Sequence, residues 1–401
     1  MEIISRKYYA DKIDSWLGKE TVIVLTGQRR VGKSNILKDF ILRHQDEPEA
    51  NIIYIDKEKR SFRFIQDSEQ LGNYIDEHFV EAKHNYILVD EIQDIEDWEH
   101  TIRSFRTEEN TDIIITGSNS KMLSGELSTL LSGRYQEILV QSLSYQEFLE
   151  FHGLADSDDS LLTYLNYGGL PGLRVVGLND EDHVWDYLWS VFNTVMLKDV
   201  IERHKIRNIP FMNNLIVFLA DTVGKIGSAT SISKYMKSLG QDVSSNVVLD
   251  YTSYFKEAYL IDIVRRYDIH GRKIFETNQK TYFGDVGLRN LIAGGSREAD
   301  IEKVMENVVY QHLVRLGYQV YVGELRSGEI DFVCSKPGQV RYVQVSYLIS
   351  NEETREREFG RLRDIKNDYP KYVISLTPML ISRDHEGITH LGLREFLKNG
   401  L

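Results

Sequence analysis

The sequence predicts an α/β fold: a mostly parallel sheet covered by helices, followed by a helical region and then a second α/β unit. Three observations predict it. The first 150 residues alternate short β-branched apolar runs with amphipathic stretches. The first of those runs ends in a glycine-rich turn that opens a helix. Apolar residues make up 42% of the 401, enough for ordinary buried cores, and no apolar run is long enough to span a bilayer.

In chain order, TVIVLT (21–26) reads as a buried strand, and a helical pattern runs from Ser34 to about His44. NIIYID (51–56), NYILVDE (85–91), DIIITGS (112–118) and EILV (137–140) are further strands. Between them, Ser68–Lys83 and Glu96–Glu108 carry helical periodicity, with Trp98, Ile102 and Phe105 on one face. Strands that are apolar throughout, alternating with helices, imply a parallel sheet buried on both faces. From about 145 to 225 the pattern is helical, interrupted by the turn YGGLPG (167–172). SISKYMKS, SSNVVLDYTSYFKEAYL and the hairpin IDIVRRYDI–HG–RKIFETN then give the order of a winged helix. After GLRNLIAGGSREAD a helix (Glu302–Leu316), strands YQVYVGEL, EIDFVCSK and VRYVQVSYL, a helix near 356–368 and a strand YVISL form an αβββαβ tail. The expected boundaries are 1–150, 151–290 and 291–401.

Composition narrows the chemistry. The formal charge of −13 does not favour nucleic acid in bulk, so any such contact needs a local basic patch. A single cysteine, Cys334, excludes an intramolecular disulfide framework and a multi-cysteine zinc site, and its run IDFVC points to burial. The opening residues lack the basic-then-apolar order of a secretory signal, which leads to the expectation of a cytoplasmic protein with no membrane contact.

The most specific signal is Gly27-Gln28-Arg29-Arg30-Val31-Gly32-Lys33-Ser34, a full G-x-x-x-x-G-K-[ST] between an apolar strand and a helix. Glycines let the backbone wrap closely around phosphate oxygens. The amides of the loop and of the helix start supply positive potential. Lys33 is placed to reach the β- and γ-phosphates, and the Ser34 hydroxyl to ligate magnesium. The ligands expected are therefore ATP and Mg2+. Arg29 and Arg30 flank the loop and could touch phosphate or pair with acids. The strand YILVDEIQD ends in Asp90, a candidate magnesium ligand, and Glu91, a candidate general base for the attacking water. The strand IIITGSNS ends in small polar residues suited to sensing the γ-phosphate, with Asn119 or Ser118 as the candidate. Arg134, in LLSGRY, is a candidate to neutralise charge on the transferred phosphoryl group, within one chain or across a subunit boundary; a surface arginine paired to a carboxylate is the plain alternative.

Taken together these pieces resemble the AAA-type ATPases, and within them a family of prokaryotic ATP-binding proteins that join such a core to a winged helix and a restriction-endonuclease-like tail. GQRRVGKS, LVDEIQD, TGSNS, SGRY, LSYQEF (143–148), YGGLP (167–171), LKDVIERHKI (197–206) and KTYFGDVGLRN (280–290) carry the resemblance over nearly the whole chain. It implies a P-loop NTPase sheet in which the polar third strand lies between the loop strand and the acidic strand. It also implies that Glu91 is the catalytic acid/base and Asn119 the sensor.

The later regions leave DNA, a protein and further copies of the chain as candidate partners. Arg265, Arg266, Arg272 and Lys273 make the hairpin a local basic cluster beside Asp268, as a phosphate-tracking wing would be. Val248, Tyr251 and Phe255 read as core, and Ser244, Ser245 and Asn246 as a helix cap or a phosphate contact. In the tail, Glu306, Glu329 and Asp331 match part of the endonuclease pattern. Gln344 stands where a second acid is needed, however, and Ser346 where a lysine is needed. One strong strand ligand without a local lysine is a poor hydrolytic site, so the expectation is a degenerate tail without nuclease activity.

Overall fold

The computed structural model describes residues 3–120, 133–294, 297–377 and 384–401. The chain divides into two compact units, one of Met1–Gln141 with Glu257–Tyr259, the other of Ser142–Lys256 with Leu260–Leu401.

The first unit is a five-stranded, wholly parallel sheet. Its strands are β1 (Val22–Thr26), β2 (Ala50–Asp56), β3 (His84–Asp90), β4 (Thr111–Gly117) and β5 (Tyr135–Leu139). The spatial order is β2-β3-β4-β1-β5, so the polar third strand does lie between the loop strand and the acidic strand. Alternate residues Val22 and Val24, Ile53 and Ile55, Ile87 and Val89, Ile113 and Ile115 make one apolar face, because side chains along a strand alternate. That face packs on Leu71 and Ile75 of the helix Ser68–His78 and on Trp98, Ile102 and Phe105 of the helix Trp98–Phe105. Ile23, Leu25, Leu88 and Ile114, between them in sequence, are buried as well, as are Ile36, Leu37 and Phe40 of the helix Lys33–His44.

Two helices are shorter than their periodicity suggests, each for a local reason. The first stops at His78 because the buried Asn85 side chain takes over: its amide donates to the carbonyls of Val80 and Lys83, and its oxygen accepts from Val80 N. These bonds hold 80–83 in a turn. The second begins only at Trp98 because Asp97 is left-handed (φ 52°).

The second unit opens with helices, among them Tyr145–His152, Asp158–Tyr167, Glu181–Thr194 and its π-helical continuation Val195–Glu202. Ile209–Asp221, Ala229–Ser238 and Ser245–Glu257 follow; of the three residues read as core there, Val248 and Phe255 are buried and Tyr251 is half-buried. An eight-stranded mixed sheet completes it, ordered β12-β13-β11-β10-β9-β8-β6-β7. Here β6 is Ile261–Asp268, β7 Lys273–Phe283, β8 Gln319–Leu325, β9 Gly328–Lys336, β10 Gln339–Ser346, β11 Lys371–Ser375, β12 Asp384–His385 and β13 Ile388–Gly392. The αβββαβ order of the tail is present, from the helix Arg297–Arg315 through β8–β10 and the helix Glu352–Arg363 to β11. The hairpin β6–β7 does not stand free: β6 pairs in parallel with β8, Arg266 opposite Val322, so hairpin and tail share one sheet. Cys334 is fully buried in β9, as its apolar run predicts.

Candidate nucleotide site

The site is built where β1, β3 and β4 end. Gly27 leaves β1 with φ 138°, and a Cβ there would lie 2.1 Å from the Val140 carbonyl oxygen, so only glycine lets the chain turn this closely past the end of β5. Arg30 and Gly32 are left-handed (φ 73° and 99°), which curls residues 27–34 around the Lys33 side chain. Lys33 is 4% exposed and donates to the carbonyls of Gly27 at 2.8 Å and Gln28 at 3.1 Å. Behind the loop, the buried Arg6 guanidinium donates to Val31 O at 3.0 Å and Gln141 O at 2.9 Å, fixing the loop from below.

Across from the loop stand the acids of β3. Asp90 is 1% exposed; Thr116 of β4 donates to it at 2.6 Å and the Ser34 hydroxyl also hydrogen-bonds it. Burial pushes the Asp90 carboxyl up, against the pull of those two hydroxyls, while Glu91 and Asp56 push it further. Glu91 has φ 55°, and its amide donates to Thr116 Oγ1 at 2.9 Å. Its Oε1 lies 4.0 Å from Lys33 Nζ, and its Oε2 accepts from Gln93 at 2.5 Å and from Ser118 at 3.3 Å. Burial alone would raise the Glu91 carboxyl, but the charges of Lys33 and Arg29 and these two hydrogen bonds outweigh it, so the group sits below the usual range and is ionised at neutral pH.

The sequence-predicted residues are thus mostly brought together. Gly27, Gln28, Val31, Gly32, Lys33 and Ser34 form the loop, with Asp90 and Glu91 facing it. Arg29 bends toward the acids after β2 and lies 3.6 Å from Glu58, whereas Arg30 is exposed. Of the polar pair after β4, the buried Ser118 reaches Glu91, and Asn119 follows half-buried. Arg134 is not brought to the loop of its own chain. Its carbonyl accepts from Val22 N, at the start of β1, and Val22 pairs with Tyr135. The loop leaves the opposite end of that strand, about 13 Å away at the usual rise, so Arg134 does not serve the loop of its own chain. Ser132 of the SGRY stretch lies outside the described residues.

One site residue was not foreseen, and one foreseen residue has an unexpected state. Asp56 ends β2 in register with Asp90 and is 6% exposed, a third carboxylate at the same sheet edge. The hydropathy of NIIYID signals only a strand; that its last residue shares an edge with Asp90 follows from the strand order. Gln28 is 3% exposed, and among the described residues neither atom of its carboxamide has a hydrogen-bond partner. An orphaned amide buried inside a phosphate loop is costly unless a polar ligand satisfies it. With the ammonium of Lys33 and the helix-start amides, it fits a polyphosphate. The hard oxygens of Ser34 and Asp90 fit magnesium.

The second unit modifies two expectations. The basic hairpin is largely neutralised: Arg265 pairs with Glu276 at 3.2 Å and Arg266 with Glu324, which leaves Arg272 and Lys273 exposed at its tip. In the tail, Gln344 and Ser346 lie on β10 beside Asp331, whose Oδ2 accepts from Val345 N at 2.9 Å. Lys366 and Lys371 donate to backbone carbonyls of their own loop, those of Arg363 and Asn367. Among the described residues no group of three or more His, Cys, Asp or Glu side chains is arranged to hold a metal ion, and no helix is long and apolar enough to cross a membrane.

Comparison with known proteins agrees with this geometry. The AAA domain family matches residues 19–149, and a family described as a domain of unknown function matches residues 158–299. An uncharacterized protein of Haemophilus influenzae is 35% identical over 381 residues, covering 93% of each chain. One of Methanocaldococcus jannaschii is 28% identical over 364 residues, covering 86% of this chain and 79% of its own. Among solved structures, a Walker-type ATPase of Pyrococcus abyssi is 15% identical with a TM-score of 0.51, covering 73% of this chain and 96% of its own, a likeness of fold.

Proposed function

The chain belongs to the AAA-type ATPase family, and from that premise we propose that it is a magnesium-dependent ATPase whose nucleotide state governs a DNA or protein partner. The observation that carries hydrolysis, beyond binding, is the placement of Glu91. It is ionised, held by Ser118 and Gln93, and faces the Lys33 ammonium across 4.0 Å at the mouth of the loop. A carboxylate so held can take a proton from water beside the γ-phosphate. The loop amides, Lys33 and Gln28 bind and orient the phosphates, and Ser34 and Asp90 would hold magnesium, which supplies charge neutralisation when bound. Ser118 keeps Glu91 aimed, and Asn119 beside it is the γ-phosphate sensor in this reading.

The remaining parts follow from the same reading. Residues 1–150 are the ATPase core, 151–290 a helical and winged-helix region, and 291–401 a restriction-endonuclease-like tail without nuclease activity, in a cytoplasmic protein. Arg134, distant from its own loop, acts on a neighbouring subunit if the chain forms homo-oligomers. The alternative is a nucleotide-switched DNA-binding regulator in which hydrolysis only resets the state. The paired charges of Arg265 and Arg266 weigh against a strongly basic wing. ATP turnover and particle mass measured together, with and without DNA, test the proposal. Magnesium-dependent turnover is expected, and turnover absent under every condition would overturn it. A turnover raised by DNA identifies the partner as DNA, and a rate unaffected by DNA points to protein.

A further inference from the structure

The second unit contains a buried ion cluster with no part in the nucleotide site. Lys280 of β7 is 1% exposed, and its Nζ lies 2.8 Å from Glu306 Oε1 and 3.4 Å from Asp331 Oδ1. It is also paired with Glu329. Tyr282, on the same strand face two residues along, donates to that same Glu306 oxygen at 2.6 Å. The backbone closes over the cluster at Gly224, where a Cβ would lie 2.6 Å from Glu306 Oε2. Glu306 comes from the helix Arg297–Arg315, and Glu329 and Asp331 from one face of β9. The three acids, which come from different elements, converge on the one ammonium.

We propose that the Lys280 ammonium is the resident cation of this cluster, standing where Glu306, Glu329 and Asp331 would otherwise hold a divalent metal ion.

An ammonium has three donors and no acceptor, and the three carboxylates match it one for one. Burial by itself would lower the Lys280 pKa, but the charges of Glu306, Asp331 and Glu329 overcome it and hold the group protonated. A divalent ion at the same point would face a fixed positive charge within contact distance. Position 344 offers no carboxylate: the Gln344 oxygen accepts from Asp331 N at 3.3 Å, and its amide donates to Glu358 at 3.1 Å. The lysine absent from position 346 is thus supplied by a hairpin strand, as a tethered substitute for the metal. The acids then join the hairpin, the helix Arg297–Arg315 and β9, all within one unit.

The test is Mn2+ binding followed by electron paramagnetic resonance on the full chain without nucleotide. An Asp90→Asn background removes the acid of the nucleotide site. In that background the proposal expects equal Mn2+ binding with and without Asp331→Asn. Lys280→Met should gain one Mn2+ per chain, and adding Asp331→Asn should remove it again. A tail Mn2+ already present with Lys280 in place, lost on Asp331→Asn, would overturn the proposal. So would a Lys280→Met protein that is folded by circular dichroism yet gains no ion. Should Lys280→Met not fold, the comparison with Lys280 in place decides: no difference supports the tethered cation, and a lost ion refutes it.

Discussion

At the scale of residues, the account rests on a few side chains at the ends of β1, β3 and β4. Lys33 already spends its hydrogen bonds on loop carbonyls, so it holds the loop's shape as well as offering charge. Lys33→Ala should weaken ATP binding about 10- to 100-fold, the range of a charge-assisted hydrogen bond, measured by titration calorimetry. Gln28→Ala removes the unsatisfied amide; it should leave the fold's stability unchanged or slightly raised while weakening ATP severalfold. If ATP affinity is unchanged in Gln28→Ala, the amide is not a phosphate ligand. The loop and the acidic pair were legible in the sequence because their chemistry demands fixed types at fixed spacing. Asp56 was not. It matters only because parallel pairing sets it beside Asp90.

At the scale of elements, the motifs that carry the family resemblance beyond the nucleotide loop prove to be joints. LSYQEF starts the helix Tyr145–His152 through a capping box in which Ser144 and Glu147 satisfy each other's amides. Asp285 of KTYFGDVGLRN is buried and accepts from Gly169 N, Gly287 N and Leu288 N, so it caps its own helix and grips YGGLP at once. Asn290 adds bonds to the carbonyls of Leu165 and Asn166, both at 2.9 Å. Gly168 has φ 73°, and a Cβ there would meet Asp285 Oδ1 at 2.3 Å. Gly168→Ala should therefore destabilise the protein by about 1–3 kcal/mol, read as a lower urea midpoint. An unchanged midpoint would mean that the joint yields freely. The strands of the first sheet could be read from β-branched runs alone. The contacts of Asp285 and Asn290 could not, since their partners lie over a hundred residues away in sequence. The short β12, β13 and the helix Leu393–Asn399 also went unread.

At the scale of the molecule, a half-buried histidine sets an acid limit. The His312 ring lies edge-on to Phe396 in the second unit, and among the described residues its Nε2 has no hydrogen-bond partner. Burial, with the nearby Arg315 charge, pushes its pKa down to about 4 from an ordinary 6.5. The unfolded chain then binds the proton more tightly than the folded one. The stability from the neutral ring is complete above the unfolded pKa and is lost as pH falls from about 6.5 toward about 4, up to about 3 kcal/mol. The melting temperature should fall across that window, and less steeply in His312→Gln; equal slopes would remove His312 as a cause. The central claim concerns the first unit: a loop that binds ATP and a strand-tip carboxylate that activates water. Single-turnover hydrolysis of magnesium-ATP by Glu91→Gln, at saturating nucleotide, tests it most directly. ATP affinity should hold while the rate falls about 100- to 10,000-fold. A variant that binds ATP and hydrolyses it at the parent rate would contradict the claim.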